Sequence, residues 1–380
     1  MKEILQHISE KYIPFWRSLY DGRGGFFGAF SNGIIEKDAH RGAIMHLKSL
    51  WFFSRAFQAF KDPSLKAMAD HLYTYVTQKM IDPMYGGFYY TLRFDGYPID
   101  LTKHARTSAL GLYAFTAYFE ISKDYSVLKH AYECFNTLEV RCRRELGYHE
   151  QFDALFCPMP NTKMCEVTTS TRHVKTMLHI LEAYTDFYFC VKTKEVKEAL
   201  DNIYSIVKYR VFDEMAGSFD VFMDNDLDTE YDVIDAGVNM QGSWALTSAA
   251  IALGTFVKED VAVIRKLVDK ALEECYDGTA VGYRKYAKKT DTDRLSWVQA
   301  ESIIGLLNVY SLTKQDSYLE KAKNIWHYAK NNLVVNGGWY WGKTKAGKLL
   351  DKPLASDTRG PYHEGRMFLE ILRRGINIGL

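Results

Sequence analysis

Six short stretches share one signature: Gly24-Gly25-Phe26-Phe27-Gly28, Gly86-Gly87-Phe88-Tyr89-Tyr90, Leu146-Gly147-Tyr148, Ala216-Gly217-Ser218-Phe219, Val281-Gly282-Tyr283 and Gly337-Gly338-Trp339-Tyr340-Trp341. They recur at intervals of roughly 60 residues and fill the chain, as in a repeat architecture. Glycine permits the positive φ of a tight turn, and the aromatics after it read as a short strand. Each mark is therefore expected to be a small hairpin or loop.

Between the marks lie helical patterns, usually two. The apolar spacing predicts helices over 39–60 and 62–80, 103–121 and 125–140, 172–191 and 194–211, 238–256 and 259–275, and 296–312 and 316–333. Helices over 2–19 and 362–374 bring the set to about twelve. The first helix of a pair is apolar nearly all round, as in ALGLYAFTAYF (109–119) and WALTSAAIALG (244–254). The second is amphipathic, as in VKEALDNIYSIVKYR (196–210). A helix apolar on all sides is buried on all sides, and an amphipathic one covers it. Six such pairs predict an all-α fold, an (α/α)6 barrel with short β-hairpins and loops at one end, as a single domain over 1–380. An open helical solenoid is the alternative. Closure is favoured because the terminal helices are as apolar as the middle ones and carry no polar caps.

Composition narrows function. The 380 residues carry 48 Lys plus Arg against 47 Asp plus Glu, a formal charge of +1. That balance argues against a partner recognised by phosphate neutralisation, so neither nucleic acid nor a membrane surface is expected. No stretch of about 18 apolar residues is present, and the opening MKEILQHISEKY lacks the apolar core of an export signal. Six cysteines are scattered without a CxxC or Cys/His pattern, which fits reduced thiols in a cytoplasm. The 26 Tyr, 22 Phe and 7 Trp suit stacking on sugar rings at the mouth of a helical ring. The sequence holds no dinucleotide, P-loop, zinc-protease or serine-elbow motif, so neither cofactor nor metal is implied.

Seven segments, taken in order, resemble the N-acylglucosamine 2-epimerase superfamily, most closely its cellobiose 2-epimerase branch. They are IPFWRSLYDGRGGFFGAF (13–30), HLKSLWFFSRAF (46–57), GGFYYTLRFDGYPIDLTKH (86–104), MLHILEAYTDFY (177–188), WVQAE (297–301), GGWYW (337–341) and PYHEGRMFLE (361–370). The resemblance implies the same barrel, a sugar site, and chemistry that opens the ring and moves the proton at C2 through an enediolate. It places an acid/base histidine at His363, a histidine acting at the ring oxygen or hydroxyls at His179, and a sugar-stacking indole at Trp297.

The departures are as informative. Where the family reads Gly-His-Asp-Ile-Glu-Ala-Ser-Trp, this chain has Gly237-Val238-Asn239-Met240-Gln241-Gly242-Ser243-Trp244. The second catalytic histidine is thus Val238 and its carboxylate partner Gln241. An arginine becomes Lys48, a tyrosine becomes Arg106, and the tryptophan before Pro-Tyr-His becomes Thr358, followed by Arg359. Valine moves no proton, Gln does not titrate, and Lys lacks the planar fork of Arg.

Three readings stand. His363 could act alone, shuttling a proton between C2 and C1, with Lys48 on the carbonyl oxygen and Asp235 or Asp232 orienting substrate. A glycoside hydrolase would need two carboxylates from Glu150, Asp153, Asp232, Asp235, Glu301 and Glu364. A silent sugar-binding homologue would explain Val238 and Gln241 directly. The catalytic candidates are His363, His179 and Lys48. The substrate-binding candidates are Tyr90, Arg106, Asp235, Gln241, Trp297, Glu301, Arg359 and Tyr362. Arg106 and Arg359 hint at an acidic sugar unless each pairs with an acid such as Asp100 or Asp357. Arg366 and Glu370 read as a helix-surface pair. The segment 157–171 reads as a loop over the basin, and 283–293 as a mobile excursion. The partner is a small sugar or oligosaccharide, and the protein is expected as monomer or homodimer.

Overall fold

The computed structural model describes residues 1–167, 170–229 and 231–379. The chain opens with α1 (Lys2–His7) and α2 (Ile13–Arg17), joined by a π-helical turn over Ile8–Tyr12. Five antiparallel pairs follow: α3 (Ala43–Phe60) with α4 (Pro63–Tyr75), and α5 (Ala105–Ser122) with α6 (Ser126–Asn136). Next come α7 (Val174–Val191) with α8 (Lys194–Ile206), α9 (Ala236–Leu253) with α10 (Asp260–Cys275), and α11 (Ser296–Thr313) with α12 (Asp316–Asn332). The last helix is α13 (His363–Arg374).

Closure follows from which helices touch. α3 packs on α5, α5 on α7, α7 on α9, α9 on α11, α11 on α13, and α13 returns to α3. These six form the inner ring of an (α/α)6 barrel. Along α5, α9 and α11 almost every residue of the first three turns is buried, whereas α8 and α10 bury one stripe. The difference in sequence polarity between the two members of a pair therefore encodes inner against outer.

The glycine–aromatic marks become the repeat's turns. Each is closed by an antiparallel bridge: Tyr20 to Phe26, Ile81 to Phe88, Arg143 to Tyr148, Phe212 to Phe219, Tyr276 to Val281 and Val334 to Trp339. Gly87 and Gly217, both at φ +66°, show why glycine holds these places. At the opposite end, the inner helices stop on a left-handed residue: Lys61, Lys123, Lys192, Gly254, Lys314 and Gly375.

Two sequence expectations are corrected. Three inner helices begin later than apolar spacing suggests, at Ala43, Ala105 and Val174, because short strands precede them at Arg41–Gly42, Lys103–His104 and Arg172–His173. The excursion over 283–293 is built into a three-stranded sheet: Arg284–Tyr286 pairs with Val233–Asp235 on one side and with Lys289–Asp291 on the other. Periodicity alone is blind to a strand of two or three residues. No helix among the described residues is long and apolar enough to cross a membrane.

One glycine records ring closure. A Cβ at Gly42, the N-cap of α3, would lie 1.9 Å from the Asp357 carbonyl oxygen in the segment leading to α13. The obstacle is backbone, which cannot rotate away. Gly42→Ala is expected to cost about 1–3 kcal/mol or more, as overpacking does, read as a lower melting temperature. An unchanged value would mean that this approach of first and last modules is loose.

Candidate active site

The functional candidates gather on the N-terminal halves of the inner helices. Lys48, His179, Gln241 and Glu301 hold the sixth position of α3, α7, α9 and α11 in turn. The ninth positions supply Trp51, Tyr113, Glu182 and Trp244 from α3, α5, α7 and α9. Symmetry of the repeat thus turns equivalent registers toward one centre. Several helix starts carry their own side-chain caps: His104 accepts from Arg106 N, His173 from Lys175 N, and Asp235 from Val238 N.

At the centre, His363 Nδ1 lies 2.6 Å from Glu301 Oε1, and Trp244 Nε1 donates to Glu301 Oε2 at 2.9 Å. With Nδ1 engaged, Nε2 is the ring nitrogen left for a substrate. Burial pushes the Glu301 carboxyl up to about 7 even though Arg366 opposes the shift. Burial, Lys48 and Arg366 hold the His363 imidazole well below its ordinary value. The pair therefore exchanges one proton as a unit near neutrality.

A second carboxylate stands beside it. Glu182 Oε2 accepts from Tyr362 Oη at 2.6 Å and Arg366 Nη2 at 3.0 Å, while Oε1 accepts from Gln241 Nε2 at 2.6 Å. His179 Nδ1 lies 3.7 Å from the same Oε2. Burial opposes ionisation of Glu182, but Arg366 and these hydrogen bonds outweigh it and hold the carboxyl below the usual range. Burial lowers His179 to about 4, leaving a neutral imidazole. Arg366 Nη1 is 3.7 Å from Glu301 Oε1, so one guanidinium spans both acids. It is sandwiched by the rings of Tyr362 and Trp244, 4.1 and 4.5 Å from their centroids.

Lys48 and Trp297 complete the centre. Lys48 Nζ donates to the Thr358 carbonyl at 2.8 Å and lies 5.5 Å from the Tyr362 ring. Burial, then the Arg106 charge, bring its ammonium down to about 7. The Trp297 ring is 5.5 Å from that of His363, and Lys175 Nζ covers it at 4.6 Å. Burial lowers Lys175 to about 8, although Asp235 stands 3.1 Å away.

Other expected site residues have protein partners. Asp235 caps α9 and pairs with Arg284 and Lys175. Arg359, expected to meet an acidic substituent, donates through Nε to Leu354 O and through Nη2 to Ser296 Oγ, Trp339 O and Tyr340 O. Its acidic partner is Glu364, not Asp357. Arg106 donates to Thr176 Oγ1, which donates to Glu150. Tyr90 Oη reaches the Met164 sulfur at 3.2 Å, with Lys163 Nζ 5.4 Å from its ring. Glu150, Asp235, Glu301 and Glu364 are each buried on partners of the protein itself.

The loop over 157–171 lies against the same end of the ring. Asn161 Nδ2 donates to Glu150, Lys163 pairs with Asp100, and Glu166 with Arg284. Thr168 and Thr169, within that loop, lie outside the described residues. Arg366 does not pair with Glu370, which instead meets Arg373 and Arg374. Sequence reasoning missed Glu182 and Arg366 as site residues. Their signal was present: each is a charge one turn beyond a candidate histidine, and each faces inward from an inner helix.

A closed ring of helix pairs that converges imidazoles, carboxylates and aromatic faces on one end defines the class, an (α/α)6-barrel protein. The family model described as N-acylglucosamine 2-epimerase (GlcNAc 2-epimerase) matches 24–227 and 244–364. The chain belongs to that family. It is 31% identical over 391 residues to a cellobiose 2-epimerase of Ruminococcus albus, with 100% of both chains covered. To the cellobiose 2-epimerase of Dictyoglomus turgidum it is 29% identical over 380 residues, covering 98% of each. Among solved structures, a sugar epimerase from a ruminal bacterium superposes with a TM-score of 0.95 at 29% identity, covering 99% of each chain. The stretch between the two matched segments holds Val238 and Gln241.

Proposed function

We propose that this protein is a sugar epimerase/isomerase that moves a proton at C2 of an open-chain aldose, with His363 as the group that exchanges the proton. The observation that carries this reading is the 2.6 Å contact of His363 with Glu301, a carboxylate oriented by Trp244 and Arg366. A buried carboxylate fixes the ring and stabilises the imidazolium that forms when Nε2 accepts a proton. Trp297 supplies an aromatic face beside that nitrogen, and the ammonium of Lys48 is the cation for the oxyanion that develops at O1. Val238 carries no proton. His363 alone suffices to take the C2 proton and return it to C1 on the same face, which is aldose–ketose isomerisation.

The test is NMR in D2O with cellobiose, its C2 epimer 4-O-β-glucosylmannose, and D-mannose. Deuterium at C1 or C2, with a new epimer or ketose that vanishes in His363→Asn, is the expected result. Cleaved disaccharide without deuterium at carbon would overturn the reading, as would unchanged sugars throughout.

Lys48 makes the alkaline limb of the pH profile specific. A lysine lowered to about 7 loses its charge as pH rises through that value. The conversion rate is therefore expected to fall above about pH 7. In Lys48→Arg the cation persists at all accessible pH, so that fall should disappear. A wild-type rate still level at pH 9 would remove Lys48 from the oxyanion.

A further inference from the structure

We propose that His179 is a second proton-transfer group at C2, working from the side opposite His363, so that the chain epimerises C2 without a histidine at position 238. The proposal rests on the reading that His363 exchanges a proton with C2. Two imidazoles here share one construction. His363 backs onto buried Glu301, His179 backs onto buried Glu182, and Arg366 ties the two carboxylates together. Their ring centroids are 6.5 Å apart with planes inclined by 50°. Rings this close place a sugar carbon seated beside both within reach of a nitrogen of each. Both rings flank Tyr362, at 5.6 and 5.0 Å, so one side chain spaces them.

Gln241 fits this arrangement. Its Nε2 donates to Glu182 at 2.6 Å and brings no charge of its own. A carboxylate at that place would compete for Arg366 and share a proton with Glu182, as like charges at such a distance do. The amide leaves Glu182 ionised behind His179. A neutral His179 beside a His363–Glu301 pair that holds its proton to about pH 7 makes a base and an acid with well-separated affinities.

The step balances without any other reactant. His179 Nε2 takes the C2 proton, the C–H electron pair forms the C1–C2 double bond, and O1 takes the negative charge. The proton held at His363 Nε2 then re-forms a C–H bond on the other face of C2, and the C1 carbonyl returns. His179 has gained a proton, the His363–Glu301 pair has lost one, and water resets them. From the epimer the roles reverse: His363 takes the proton and His179 gives it.

That reversal supplies the test. Wild type, His179→Gln and His363→Asn are each given cellobiose and 4-O-β-glucosylmannose separately in D2O, with melting temperatures confirming that each variant folds. Glu182→Gln serves as a second variant that weakens His179 while keeping the imidazole. The expected result is a mirror pattern. His179→Gln loses interconversion at least 100-fold yet still exchanges the C2 proton of one epimer within about tenfold of wild type, and His363→Asn does the same with the other epimer. Equal loss of exchange with both epimers in His179→Gln would assign His179 to ring opening and overturn the proposal. So would a wild type that yields only ketose, in which case His363 still exchanges the proton. No deuterium at carbon in wild type with either sugar removes the underlying reading as well.

Discussion

Replacing His363 by asparagine is expected to abolish net conversion of sugar in either direction, by about a hundred- to ten-thousand-fold, the usual weight of a positioned acid/base group. Asparagine preserves a donor near the place of Nδ1, where Glu301 lies at 2.6 Å, and removes Nε2. The substitution therefore deletes the proton carrier while disturbing the carboxylate little. Stability should change less than activity, and binding of a non-reacting sugar alcohol should persist through Trp297 and its neighbours. A loss smaller than tenfold, measured as product by NMR, would place the proton transfer elsewhere in the centre.

The second large effect is on folding. Arg366 is buried and serves Glu182 at 3.0 Å and Glu301 at 3.7 Å. Arg366→Met fills similar volume but leaves Glu182 without the charge that keeps it ionised. Breaking a buried ion pair on one side costs about 3–5 kcal/mol. The sign with pH is diagnostic. In the wild type the folded Glu182 sits below its ordinary value of 4.5. Its contribution is complete above that value and is lost as pH falls. In the variant its folded pKa rises above that of the unfolded chain, so stability should fall as pH rises above about 4.5. Denaturant unfolding at pH 5 and pH 8 should show the variant recovering part of its loss at the lower pH. A deficit equal at both would mean that lost packing against Tyr362 and Trp244, not charge, accounts for the effect.

The two predictions separate the roles in this centre. His363 presents an unshared nitrogen to solvent, with 17% of its side chain still exposed, whereas Arg366 retains 4%. The first is therefore read in rates and the second in stability. Lys48 lies between them: it bonds only to a backbone carbonyl and is not ion-paired among the described residues, so its charge follows pH directly. Asp235 and Arg359 serve the scaffold, capping a helix and gathering hydrogen-bond acceptors from three segments.

How much of this was legible depends on distance along the chain. The helix pairs and the bridged turns arise from contacts within a few residues, so glycine placement and apolar spacing reveal them. The strands before the inner helices escaped notice because two residues make no period. His363, His179 and Lys48 were singled out through motif resemblance, and Val238 and Gln241 through its failure.

By itself, the sequence determined the number of repeats and which helix of each pair lies inside, because composition and local periodicity are properties of the chain. Only the tertiary structure decided which charges meet. Glu182 and Arg366 are 184 residues apart and touch only when the sixth module returns to the third across the closed ring. Burial then sets their ionisation, since a carboxylate taken from water persists only beside a cation delivered there by the fold. The partner of a buried charge is written in no single stretch of sequence.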